Sequence, residues 1–175
     1  MNYKEKWNHR YESLHTLPNV NNALINFIHL APKGRALDIA CGVGQNSLFL
    51  ASKGFVVDAV DFSEVAISKI SHPNINTYCC DIKEFPFHSS TYSLIFCANF
   101  LERSIFENIK KALQEEGILI FTTFNENRAH FNPKFTLKRN ELLQAFLELE
   151  ILYYEAIEER SILVAKKWRL QRSLQ

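Results

Sequence analysis

Short unbroken apolar runs and stretches of helical spacing alternate along the chain. The runs at 35–40, 55–60, 75–79, 92–98 and 118–124 read as strands. Helical spacing fills 19–30, just after Pro18, and then 44–53, which Gly54 ends. Ser63 can cap a helix ending near Ser71. A loop with Pro86 precedes the fourth strand, a helix over 102–113 follows it, and Glu116-Gly117 is expected to turn into the fifth. A longer loop, 125–135, leads to a helix at 138–146 and then to two adjacent strands, 148–155 and 161–167. Strict alternation followed by two neighbouring strands predicts an α/β fold, a doubly wound parallel sheet with one antiparallel strand. No repeat or second domain is visible, so a single domain over 1–175 is expected.

Composition narrows the class. Apolar residues make up 47% and charged residues 22% of the 175, enough for a sizeable core. A formal charge of +1 supplies no long-range basic field, so nucleic acid is not implied. No apolar run approaches the roughly 18–20 residues of a membrane span, and the first residues lack a signal-peptide core. A cytoplasmic protein is expected. Cys41, Cys79, Cys80 and Cys97 contain no Cys-x-x-Cys pair. Vicinal Cys79 and Cys80 point to opposite faces of a strand, so small reduced side chains are expected and no metal site.

Chemistry concentrates at 36–47, Ala-Leu-Asp-Ile-Ala-Cys-Gly-Val-Gly-Gln-Asn-Ser. A strand, a turn with Gly42 and Gly44, and a helix start make a nucleotide-sized cradle. Seventeen residues after Gly44, Asp61 closes the second strand, where a carboxylate can accept both ribose hydroxyl hydrogens. The third position of a Gly-x-Gly-x-x-Gly fingerprint is Ser47, which does not exclude NAD. Asp38 argues more strongly. A carboxylate inside the first strand repels a pyrophosphate and favours a ligand with a cation, such as S-adenosylmethionine. Its plainer role is to accept hydrogen bonds from the turn, and the two are compatible.

Leu37-Asp38-Ile39-Ala40-Cys41-Gly42-Val43-Gly44 resembles the first motif of class I S-adenosylmethionine-dependent methyltransferases, with Ala40 where that family usually has glycine. Val57-Asp58-Ala59-Val60-Asp61-Phe62-Ser63 resembles its second motif and Cys80-Asp81-Ile82 its third, whose acidic residue holds the adenine amino group. The opening Trp7-Asn8-His9-Arg10-Tyr11 and the late Glu141-Leu142-Leu143 resemble the small single-domain branch that includes tellurite-resistance methyltransferases. The resemblance implies a Rossmann-like seven-stranded sheet in the order 3-2-1-4-5-7-6, with the last strand antiparallel and helices on both faces. It implies S-adenosylmethionine as cofactor and S-adenosylhomocysteine as product. It also implies a cofactor site drawn from Asp38, Ala40, Cys41, Gly42, Gly44, Asn46, Asp61, Phe62, Asp81, Ile82, Cys97 and Ala98. Phe62 and Ile82 would flank the adenine, and Cys97-Ala98 would border the methionine part. Trp7 and Tyr11 would join this cofactor site from one face of a lid formed by 1–18, and 168–175 would be a solvated tail.

The acceptor is less legible. Methyltransferases acting on amino groups of adenine, cytosine or glutamine resemble each other in an Asn/Asp-Pro-Pro-aromatic motif after strand four, and this chain has Asn99-Phe100-Leu101. Asn132-Pro133-Lys134-Phe135 lies after strand five and reads as a turn. Asn99 and Glu102 have the spacing of a capping box. No catalytic residue emerges: His9, His15 and His130 read as ordinary surface histidines. Arg10, Tyr11, Arg128 and Lys134, in the covering segments, favour a small polar or anionic acceptor weakly. A methyltransferase of small molecules, acting as a monomer or homodimer, is the leading reading. A catalytically inactive S-adenosylmethionine-binding regulator or subunit is the alternative.

Overall fold

The computed structural model describes residues 2–169, and the end of the expected tail beyond Arg169 lies outside them. Five strands are parallel: β1 (Arg35–Ile39), β2 (Val56–Asp61), β3 (Ile75–Cys79), β4 (Tyr92–Ala98) and β5 (Leu113–Phe124). β6 (Glu150–Ile157) and β7 (Arg160–Lys166) complete the sheet, in the order β3-β2-β1-β4-β5-β7-β6. β7 is antiparallel to both β5 and β6. Reversal about β1 places β1 and β4 side by side at the switch point, the position where such sheets open a crevice.

Helices cover both faces. α1 (Tyr3–Glu12) precedes the sheet, followed by α2 (Asn22–Phe27), α3 (Gln45–Ser52), α4 (Glu64–Ser68), α5 (Phe106–Ala112) and α6 (Glu141–Ala145). On one face Leu24, Ile28, Leu50 and Phe55 pack against Leu94, Phe96 and Ile120. On the other, Phe106, Ile109, Leu142 and Phe146 pack against Ile95, Phe121 and Leu163. The two faces follow from the strict alternation within β4 and β5. None of the described helices is long and apolar enough to cross a membrane.

Several expectations shift. The helix expected over 102–113 is a 3-10 turn, Arg103–Ile105, followed by the shorter α5. β5 begins at Leu113 instead of Ile118, because Leu113 already pairs with Tyr92 and the register slips before Ile118. Glu116 (φ 63°) and Gly117 sit at this bulge instead of ending a turn, and a Cβ at Gly117 would come within 2.8 Å of two backbone carbonyls. α6 starts late, after a left-handed Asn140 (φ 56°). The Asn99 capping box does not form: Asn99 is left-handed (φ 56°), and Glu102 caps the 3-10 turn by accepting from the Ser104 amide. Pro133 opens a short 3-10 turn capped by Asn132, as a turn reading requires.

Candidate functional site

After β1 the chain passes through Ala40 (φ 54°), Gly42 (φ 56°) and Gly44 (φ 84°), all left-handed. Such a reversal swings the backbone from the end of β1 into the first turn of α3. Ala40 carries a Cβ in this region, which costs about 1 kcal/mol relative to glycine. A Cβ at Gly42 would lie 3.1 Å from the Tyr11 hydroxyl, and one at Gly44 would lie 2.6 Å from Ile70.

Two buried carboxylates flank this turn. Asp61, at the end of β2, accepts from the Gly42 amide at 2.9 Å through Oδ2 and from the Ser63 amide at 2.9 Å through Oδ1. Burial raises its pKa above the ordinary carboxylate value, although these amides oppose the shift. Asp38 is 1% exposed, and its Oδ2 accepts from the Ser47 hydroxyl at 2.5 Å. Burial pushes its pKa up to about 7. Ser47, noticed in the sequence as a stand-in for a third glycine, is thus the partner that holds Asp38. Among the described residues neither carboxylate has an ion pair.

The remaining candidates fall into three groups. Cys41 and Cys97 are buried, and burial raises both thiols well above their ordinary value, which disfavours the reactive thiolate. Asp81 is exposed, accepts from the Lys83 amide at 3.0 Å, and pairs with the Lys83 ammonium at 3.4 Å. Ile82 is buried in the core, while Phe62 and Ala98 are half-buried at the carboxyl ends of their strands. Asn46 uses its side-chain oxygen to accept the Asn21 amide at 2.9 Å, which ties the chain entering α2 to the first turn of α3.

α1 lies beside this turn. Trp7 and Tyr11 share a face, their rings stacked with centroids 5.6 Å apart. The helix is fastened to α4 by polar contacts. Ser63 donates to Asn8 at 2.5 Å, Asn8 donates to Glu64 at 3.3 Å, and Lys4 pairs with Glu64 at 3.4 Å. The Lys69 ammonium closes the other end, donating to the Tyr11 and Leu14 carbonyls. Lys69 and the capping partner Asn8 escaped the sequence reading, because nothing in their spacing marks a contact more than fifty positions away. His9, His15 and His130 are exposed, and none lies in a buried site. Among the described residues no cluster of three or more His, Cys, Asp or Glu is placed to hold a metal ion.

Residues 36–117 match the family model described as a methyltransferase domain. YqeM of Bacillus subtilis (strain 168) is 34% identical over 106 residues, covering 53% of this chain and 43% of YqeM. TehB of Haemophilus influenzae, by name a probable S-adenosyl-L-methionine-dependent methyltransferase, is 27% identical over 135 residues, covering 69% of this chain and 47% of TehB. The chain therefore spans about half the length of the curated relatives it matches. The crystal structure of TehB superposes with a TM-score of 0.71 at 19% identity, over 94% of this chain and 66% of that one. Geranyl diphosphate C-methyltransferase from Streptomyces coelicolor A3(2), solved with Mg2+, geranyl diphosphate and S-adenosyl-L-homocysteine, superposes with a TM-score of 0.68 at 14% identity, over 83% of this chain and 76% of that one. Residues 36–117 thus resemble a methyltransferase domain, and the strand order and superpositions give the chain the fold of S-adenosylmethionine-dependent methyltransferases.

Proposed function

We propose that the protein transfers a methyl group from S-adenosylmethionine to a small-molecule acceptor. The observation that carries this reading is the pair of buried carboxylates, Asp38 and Asp61, beside a left-handed turn with no basic partner among the described residues. A carboxylate oxygen has two lone pairs, so the amides that hold Asp61 leave it room to accept a ribose hydroxyl pair. Asp38 offers a negative charge where an ammonium group can neutralise it and where a pyrophosphate is repelled. This donor and charge set suits S-adenosylmethionine and disfavours NAD.

Asp61 would hold the ribose, Asp81 the adenine amino group, and Phe62 and Ile82 the adenine faces. Cys97-Ala98 would border the methionine part, with Asp38 on its ammonium. Trp7 and Tyr11 cover the turn and exclude water, which strengthens each electrostatic contact beneath them. When bound, S-adenosylmethionine supplies an electrophilic methyl group on a sulfonium and leaves as S-adenosylhomocysteine. The chain contributes alignment and a dry site, which together can be worth several kcal/mol, about 7 or more in well-oriented systems. No histidine is placed as a general base, so a soft or already ionised nucleophile fits best. The small-molecule acceptor is favoured by the absence of a basic surface field and by the small covering helix, and a structural neighbour such as the geranyl diphosphate enzyme is described with a small substrate.

Calorimetry with S-adenosylmethionine, S-adenosylhomocysteine and NAD tests the cofactor, and methyl release over a panel of small acceptors tests the activity. Binding of both sulfur cofactors with no NAD binding and measurable turnover is expected. NAD binding alone would overturn the cofactor assignment. Cofactor binding with no turnover on any acceptor would favour the inactive regulator instead.

A further inference from the structure

Two arginines crowd a single ring at the carboxyl end of β5. The guanidinium of Arg128 lies 3.6 Å from the Phe124 ring centroid and that of Arg160 lies 4.3 Å from it. Beyond burial, the charge of Arg128 disfavours that of Arg160, a repulsion that an anion beside them relieves. Among the described residues Glu159 is the carboxylate paired with this cluster, 3.8 Å from Arg128 and itself half-exposed, so water screens most of its effect. One arm of Arg160, Nη2, donates to Asn99 Oδ1 at 2.6 Å. The other, Nη1, is buried and has no hydrogen-bond partner among the described residues. A buried donor left unmatched costs on the order of 1–3 kcal/mol, and such a group in a native fold calls for an explanation. Asn99 directly follows Cys97-Ala98 at the end of β4, so the cluster adjoins the end of the crevice assigned to the methionine part. Phe131, 39% exposed, packs against Phe124 at 5.5 Å and offers an apolar surface beside the charges.

We infer that Arg160, aided by Arg128 and held by Asn99, binds the carboxylate of the methyl acceptor, an organic acid whose apolar body rests on Phe131. This rests on the methyltransferase reading and names its substrate class. The charge count selects a carboxylate over a phosphate. Two guanidiniums and Glu159 leave one net positive charge, which a monoanion cancels and a dianion exceeds. The planar guanidinium edge also matches a planar carboxylate. Asn99 fixes one arm of the fork, so Arg160 loses little side-chain freedom on binding.

The test uses the isotopically labelled full chain with S-adenosylhomocysteine present, titrated with benzoate, benzamide and phenyl phosphate and followed by amide NMR shifts. Benzoate is expected to shift the Asn99 and Arg128 amides saturably, at least about tenfold more tightly than neutral benzamide. Arg160→Gln should weaken benzoate by about tenfold or more and leave S-adenosylhomocysteine affinity within about twofold. Should that variant misfold, Arg128→Gln, in the loop, should weaken benzoate by about three- to tenfold. The assignment is overturned by equal binding of benzamide, by tighter binding of phenyl phosphate, by parental benzoate affinity in both variants, or by no benzoate binding while S-adenosylhomocysteine binds. Failure of S-adenosylhomocysteine itself to bind would instead bring down the methyltransferase reading, and the acceptor assignment with it.

Discussion

β2 carries two buried aspartates three positions apart, and their surroundings differ in kind. Asp58, toward the amino end, accepts from Arg35 at 2.7 and 2.9 Å, from Asn76 at 3.0 Å and from Tyr92 at 2.8 Å. Its charge is matched by a cation and every lone-pair direction is occupied from within the chain. Asp61, at the carboxyl end, receives two backbone amides and has no cationic partner among the described residues. Asp38, one strand away, has a hydroxyl donor and again no cation. The amino end of the sheet is closed on itself. On the proposed function, the carboxylates at the carboxyl end are the ones a ligand would meet. Burial alone does not separate the three aspartates, all at most 4% exposed; their partners do.

The contrast is open to direct attack, and the largest effect belongs to Asp58. Asp58→Ala strands the buried Tyr92 hydroxyl, while Arg35 and Asn76, more exposed, turn to water. We expect a loss of about 2–4 kcal/mol in urea unfolding, with S-adenosylhomocysteine affinity of the folded protein unchanged. A loss under about 1 kcal/mol would show that the network is not structural. Asp61→Ala should invert the pattern, weakening S-adenosylhomocysteine by about 1.5–3 kcal/mol in calorimetry with a smaller drop in urea stability than at Asp58. Unchanged affinity would remove Asp61 from the ribose.

Asp38 yields a pH signature. Its folded pKa, pushed up to about 7 by burial, exceeds the unfolded 3.8, so the folded state retains a proton that the unfolded state releases. Stability from this group is therefore full below about pH 4 and falls as pH rises toward 7. Binding of an ammonium group favours the carboxylate, so cofactor affinity should rise across pH 6–7, by at most about tenfold per unit. Asp38→Asn should flatten both profiles, and a parental affinity profile in that variant would disconnect Asp38 from the ligand. Ala40→Gly has the smallest effect. It relieves a left-handed alanine and should stabilise the fold by about 0.5–1 kcal/mol in urea unfolding; no gain would mean that the Cβ packs usefully.

The left half of the sheet was legible because its signals are local. β3 and β4 fall where the apolar runs end, and the spacing from Gly44 to Asp61 needs only one strand-turn-helix unit. Strand order as such came from the family resemblance, since periodicity alone gives alternation and not order. The right half resisted. The early start of β5 depends on pairing with Tyr92 across a bulge, which no local window contains. Asn99 has the spacing of a cap, yet its partner is Arg160, sixty-one positions away. Arg160 itself sits at the first residue of β7, where no periodicity separates it from an ordinary hairpin arginine. The glycine turn was placed correctly, but the side chains crowding it, Tyr11 and Ile70, come from distant segments.

One chain of contacts runs through the covered turn. The Gly42 amide donates to Asp61, Asp61 accepts the Ser63 amide with its other oxygen, and the Ser63 hydroxyl reaches Asn8 on α1. Each member is a short group with little freedom of its own, so the three bonds act as a rigid coupling rod. A displacement at the turn must either break a bond or carry the first helix with it. The first helix and the glycine turn are thus joined by three hydrogen bonds in series.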